Sequence, residues 1–192
     1  ITIAIFGMWY YARYEGNFLP SPKKTFNPMM IVAIVILVPG TQFAANFIAN
    51  LTGYIRPDWL QQYNELFETS GITDTTFVTV LYSVILAPIC EELIFRGVTM
   101  RCARKALPFA LANLMQAALF GLFHLNWIQG IYAFALGIVL GYVCERGGSI
   151  YYSMGLHLLF NLWGTLSGFF PDPGNSVVVF VIVIAVTIVS LV

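Results

Sequence analysis

A handful of side chains able to carry charge, move protons or donate hydrogen bonds stand inside stretches that are otherwise apolar. Glu91 and Glu92, with Arg96 four residues after the second, interrupt the run Phe77 to Met100. His124 closes the run Phe109 to Leu125, and His157 and Asn161, also four apart, lie within Ser149 to Phe170. Carboxylates and imidazoles are the groups that general acid–base chemistry uses most. Taking a carboxylate out of water without a partner costs several kcal/mol, so two adjacent acids in such a run need a reason. On a helix Glu92 and Arg96 are i,i+4 neighbours and can neutralise each other. Glu91 is rotated by about 100° from Glu92 and needs its own partner or its own task.

The elements that must position these groups are transmembrane helices. Hydrophobic residues make up 59% of the 192 residues and charged residues 9%, against about 25% charged in soluble domains, and the mean hydropathy is +0.81. The expected fold is all-α: a polytopic membrane helix bundle forming a single membrane domain over residues 1–192. Ile1 to Ala12 reads as the tail of a truncated first span, and Arg13 to Pro28 as a polar loop. Met29 to Leu51 is a second span that Pro39-Gly40 should kink. Phe77 to Met100, Phe109 to Leu125, Ile128 to Cys144, Ser149 to Phe170 and Val177 to Val192 bring the total to about seven. Between the second and third spans, Trp59, Leu60, Tyr63, Leu66 and Phe67 recur at helical spacing after Pro57, which predicts an interfacial amphipathic helix near 57–69.

Loop charge sets an orientation. If the spans alternate, Arg13, Lys23, Lys24, Arg101, Arg104, Lys105 and Arg146 share one side and only Arg56 falls on the other, so the basic loops are expected to be cytoplasmic. The same threading gives depths. With a hairpin turning at Leu107-Pro108, Glu91 and His124 are equidistant from the turn, about 15 Å below Arg101, and His157 enters its own span to about 13 Å. Both histidines and both intramembrane acids therefore fall in one layer.

Each group also has a purely structural reading. Glu92 with Arg96 is a buried ion pair, His124 can meet interfacial water at its helix end, and His157 with Asn161 can be interhelical glue. Phe120 reads as packing, and Gly137 with Gly141 as a close helix contact. Cys90, Cys102 and Cys144 follow no metal-ligand spacing and read as buried thiols. Glu91 in a poorly solvated site beside Glu92 should have its pKa raised toward the range of a working base, with Arg96 opposing the shift.

The ordered set E-E-x-x-x-R at Glu91 to Arg96, F-x-x-x-H at Phe120 to His124 and H-x-x-x-N at His157 to Asn161 resembles the three motifs of the CPBP family, the type II CaaX prenyl endopeptidases and their bacterial Abi relatives. The resemblance covers about 77–170, the expected catalytic core. It implies an intramembrane endopeptidase that cuts near the end of a membrane-associated, in some members prenylated, peptide or protein. By the same resemblance Glu91 is the catalytic glutamate, His124 helps to hold the water, His157 and Asn161 face the developing oxyanion, and Glu92 and Arg96 support them. A metal-free mechanism is favoured; the alternative is zinc held by Glu91, His124 and His157. The expected partners are the lipid bilayer and the peptide or lipidated substrate, with no nucleic acid. The expected location is the membrane itself, the plasma membrane in a prokaryote. A proton-coupled transporter, or a binding protein conferring immunity to a bacteriocin, is the competing reading, since an acid–histidine layer also serves proton relays.

Overall fold

The computed structural model describes residues 5, 7–9, 12, 27–69 and 76–167. The loop expected over Arg13 to Pro28 lies outside them except for Asn27 and Pro28, and so does the span expected over Val177 to Val192. Six helices run between residues 28 and 167: α1 Pro28–Ile55, α2 Pro57–Thr69, α3 Phe77–Arg104, α4 Phe109–Phe123, α5 Trp127–Gly147 and α6 Ile150–Ser167. No strand occurs among the described residues. The protein is an all-helical membrane bundle: α1, α3 and α5 are long and apolar enough to cross a bilayer, and α4 is a shorter apolar helix.

Local sequence explains most helix ends. Asn27 caps α1 by accepting from the Met29 N–H at 3.0 Å, with Pro28 at the first turn where its missing N–H costs nothing. The Asn27 N–H donates to the Tyr152 hydroxyl at 2.7 Å, which fastens this end of α1 to α6. α1 passes through Pro39, the position of the expected kink, as one continuous helix. Two residues on, the Thr41 hydroxyl donates to the carbonyls of Leu37 at 3.0 Å and Val38 at 2.9 Å.

α2 is the expected amphipathic helix, and its aromatic face is seated on protein. Trp59 stacks on Trp127 at 5.3 Å, Arg56 lies over the Trp59 ring at 4.4 Å, and Leu60 fills the space left by Gly53. Burial raises the Tyr63 hydroxyl above its ordinary pKa, and a hydrogen bond with Tyr132 on α5 opposes the rise.

α3 is less regular than its hydropathy suggests. Its segments Leu81–Leu86 and Leu93–Met100 follow π-helical (i→i+5) geometry, on either side of an α-helical turn, Ala87–Glu92, that carries both acids.

Small residues close the α4–α5 hairpin. A Cβ on Gly121 would lie 2.5 Å from the Gly130 carbonyl, and one on Gly137 3.0 Å from the Ala117 Cα, so the backbones touch where the G-x-x-x-G pattern anticipated contact. The turn itself runs through Leu125 with φ of 53°, a left-handed conformation rare for a branched residue. At the other end of α5, Gly148 adopts φ of 66° and the N–H groups of Gly148 and Ser149 return to the carbonyls of Glu145 and Cys144, ending the helix before α6 begins. The core is formed by Ile34, Leu37 and Val38 of α1, Phe95 of α3, Phe120 of α4, Leu136 and Leu140 of α5 and Leu156 and Phe160 of α6.

Candidate active site

α3, α4 and α6 bring the polar residues of the sequence together within this core. Glu92 is fully buried and its Oε1 accepts twice, from Arg96 Nη1 at 2.8 Å and from His157 Nδ1 at 3.0 Å. The Glu92–Arg96 pair expected from i,i+4 spacing is therefore present, and His157 joins it from α6. Arg96 continues the network by donating Nη2 to the Gly137 carbonyl at 3.0 Å. His157 and the Gly137 carbonyl add hydrogen bonds to this buried pair, while Glu92 Oε2 and Arg96 Nε are left without a partner.

Glu91 has a different environment. Its side chain is 17% exposed, and its Oε2 lies 3.6 Å from His157 Nε2. One imidazole thus spans both acids, Nδ1 on Glu92 and Nε2 toward Glu91. The histidine nearest Glu91 is His157, whereas equal distance from the α3–α4 turn singled out His124. His124 caps α4, and its Nδ1 lies 2.8 Å from the Phe120 carbonyl. Depth along a helix leaves the azimuth undetermined, and azimuth decides which side chains meet.

Phe120, read from sequence as packing, is the hub that both histidines share. Its ring is 4.9 Å from the His124 ring and 5.7 Å from the His157 ring, edge-on to each, and the Arg96 guanidinium lies 4.7 Å above it. Such edge-to-face contacts fix ring planes as well as positions. Asn161, one turn beyond His157 on α6, donates Nδ2 to the Ser83 carbonyl at 2.8 Å. That carbonyl belongs to the first π-helical segment of α3, where the backbone pattern shifts.

Two site neighbours escaped the sequence reading. Gln116 donates to the same Gly137 carbonyl as Arg96, at 2.8 Å, and to Asn113 at 2.7 Å, while Asn113 reaches the Ile138 carbonyl at 3.0 Å. Their signal was available: two amides three residues apart inside the apolar run of α4. Gly141 also has its reason here, because a Cβ at that position would collide with Asn113 and Gln116. Of the cysteines, Cys90 and Cys144 are half-buried and Cys102 is exposed, which corrects the expectation of three buried thiols. Cys102 follows the basic boundary residue Arg101, beyond the apolar stretch that would cover it. Among the described residues no group of three or more His, Cys, Asp and Glu side chains is placed to hold a metal ion.

An apolar bundle enclosing a buried acid–imidazole–guanidinium cluster defines an integral membrane protein with an internal polar site. Residues 73–163 match the family model described as Type II CAAX prenyl endopeptidase Rce1-like. All seven motif residues, from Glu91 to Asn161, fall inside the matched segment. No curated protein and no solved structure matches the chain.

Proposed function

We propose that the protein is an intramembrane endopeptidase in which Glu91 activates water against a peptide bond near the C-terminus of a membrane-associated substrate. The observation that carries the reading is the division of labour between adjacent acids. Glu92 is spent on Arg96 and His157, while Glu91 keeps partial exposure beside an imidazole nitrogen. In the proposed reaction Glu91 takes a proton from water, and the hydroxide forms a bond to the carbonyl carbon. The C–N bond then breaks as Glu91 returns the proton to the leaving amine. With Nδ1–H held by Glu92, a protonated His157 presents Nε2–H to the oxyanion, and the second Nδ2–H of Asn161 is the other candidate donor. A well-placed donor of this kind is worth about 3 kcal/mol in the transition state. Phe120 keeps His124 at the edge of the site, where it can hold the attacking water.

The family description supplies the substrate class proposed here, a prenylated tail. An apolar trough of about 550 Å3 at the α4–α5 hairpin, lined by Gly121, Leu122, Leu125, Trp127 and Phe134, has the chemistry an isoprenoid chain requires. The basic ends of α3 and α5 are proposed to face the cytoplasm, from which such a tail would enter. The test is cleavage of a labelled prenylated peptide by purified protein. Glu91→Gln should lose all measurable cleavage with unfolding temperature unchanged, and wild-type activity should survive exhaustive chelation. A Glu91→Gln protein that still cuts would sink the catalytic assignment, and loss of activity on chelation would return the mechanism to a metal.

A further inference from the structure

One backbone acceptor in α3 is left over by the helix itself. Across Leu81–Leu86 the chain bonds in the i→i+5 register, and at its end the Ala87 N–H donates to the Tyr82 carbonyl rather than to Ser83, four residues back. The residue due to serve the Ser83 carbonyl in that register is Pro88, which has no N–H. An α-helical register gives no relief, because there the proline ring would press on the Val84 carbonyl. The Ser83 hydroxyl is engaged as well, donating to the Thr79 carbonyl at 2.8 Å. The Ser83 carbonyl therefore depends on a donor from another helix.

Asn161 of α6 is that donor, with Nδ2 at 2.8 Å. A carbonyl oxygen only accepts, so this bond decides which way the amide is turned: nitrogen toward Ser83, oxygen away. Pro88 is fully buried and lies at the start of the turn Ala87–Glu92 that carries both acids. One interruption of the backbone thus stands three residues before Glu91 and holds the side chain one turn beyond His157.

We propose that Pro88 is a positioning residue for peptide-bond cleavage: by withholding an N–H from the Ser83 carbonyl it commits Asn161 to that place and keeps the amide nitrogen, not the oxygen, available to the oxyanion. The inference rests on the proteolytic reading above and gives the irregular backbone of α3 a task in it. In Pro88→Ala the restored N–H competes for the Ser83 carbonyl. The released amide can then turn its oxygen toward the developing negative charge, which it repels. That penalty falls on the transition state, because the carbonyl of a bound substrate carries little charge.

The experiment joins cleavage kinetics on a labelled prenylated peptide with reversible unfolding in detergent, for wild type, Pro88→Ala, Asn161→Ala and the double variant. Pro88→Ala should lower kcat about 10- to 100-fold with KM within about twofold of wild type. Adding Asn161→Ala should then lower kcat little further, whereas a proline that only packs would leave Asn161→Ala its full effect. In unfolding, Asn161→Ala should lower the midpoint by about 2–4 °C in the wild-type background and by clearly less in the Pro88→Ala background, where a backbone N–H serves Ser83. Wild-type kcat in Pro88→Ala, or an Asn161→Ala effect equal in both backgrounds, overturns the proposal. Should Pro88→Ala fail to fold, an Asn161→Ala protein with unchanged unfolding temperature overturns it equally. Coupled unfolding in a wild-type protein that cleaves nothing would keep the hold on Asn161 and remove the protease reading, so the two failures are distinguishable.

Discussion

The two halves of α3 are inverted relative to each other. In the half that begins at Phe77, the large apolar side chains Phe77, Val78, Tyr82, Ile85 and Leu86 are exposed. In the half that ends at Met100, Glu92 and Arg96 are buried among Leu93, Phe95 and Met100. In water this helix would be inside out. In a bilayer an exposed apolar side chain meets hydrocarbon and loses nothing, whereas a charge must be enclosed by protein and given partners. The comparison teaches that burial in this bundle follows polarity and chemistry, and that the apolar half of α3 is a lipid-facing strut for the polar half.

The largest expected effect comes from breaking the polar half. Arg96→Ala strands Glu92 with its charge buried and should cost about 3–5 kcal/mol in reversible unfolding in detergent. Next is the hairpin that supplies the Gly137 carbonyl to Arg96. Gly121→Ala brings a Cβ against the backbone carbonyl of Gly130, which cannot rotate aside, and should cost about 1–3 kcal/mol by the same measurement. Gln116→Leu removes one of two donors to the Gly137 carbonyl but leaves Arg96 in place, and should cost about 1 kcal/mol. Tyr82→Ala, in the lipid-facing half, should fall within about 0.5 kcal/mol of wild type. If Tyr82→Ala destabilises as much as Arg96→Ala, the contrast between the two halves is wrong.

Much of this site was legible before any coordinates. The Glu92–Arg96 pair follows from helical spacing, and the grouping of Glu91 and His157 follows from counting residues from the charged helix ends. Asn161 follows His157 by one turn, but its bond to the Ser83 carbonyl depends on the π-helical geometry of α3, which no side-chain pattern in Leu81–Leu86 announces. The exchange of His124 for His157 as the neighbour of Glu91 has the same origin. Hydropathy reports how deep a residue sits, while helix rotation, set by the packing of Phe120 against both rings, reports which way it points. Gln116 and Asn113 were overlooked because an amide in an apolar helix has no obligatory partner until a second helix presents a carbonyl.

The sequence alone determined that the chain is a helical membrane bundle, that its few ionisable groups share a layer, and that one acid of the pair is neutralised by Arg96. These properties depend on composition, on the 1.5 Å rise and on i,i+4 spacing, all of which are local. Only the tertiary structure decided that one imidazole spans both carboxylates, that Phe120 orients both histidines, and that Asn161 reaches the Ser83 carbonyl. Each of those depends on the rotation and approach of separate helices, which are set by close contacts such as Gly121 with Gly130 and Gly137 with Ala117 rather than by any single segment.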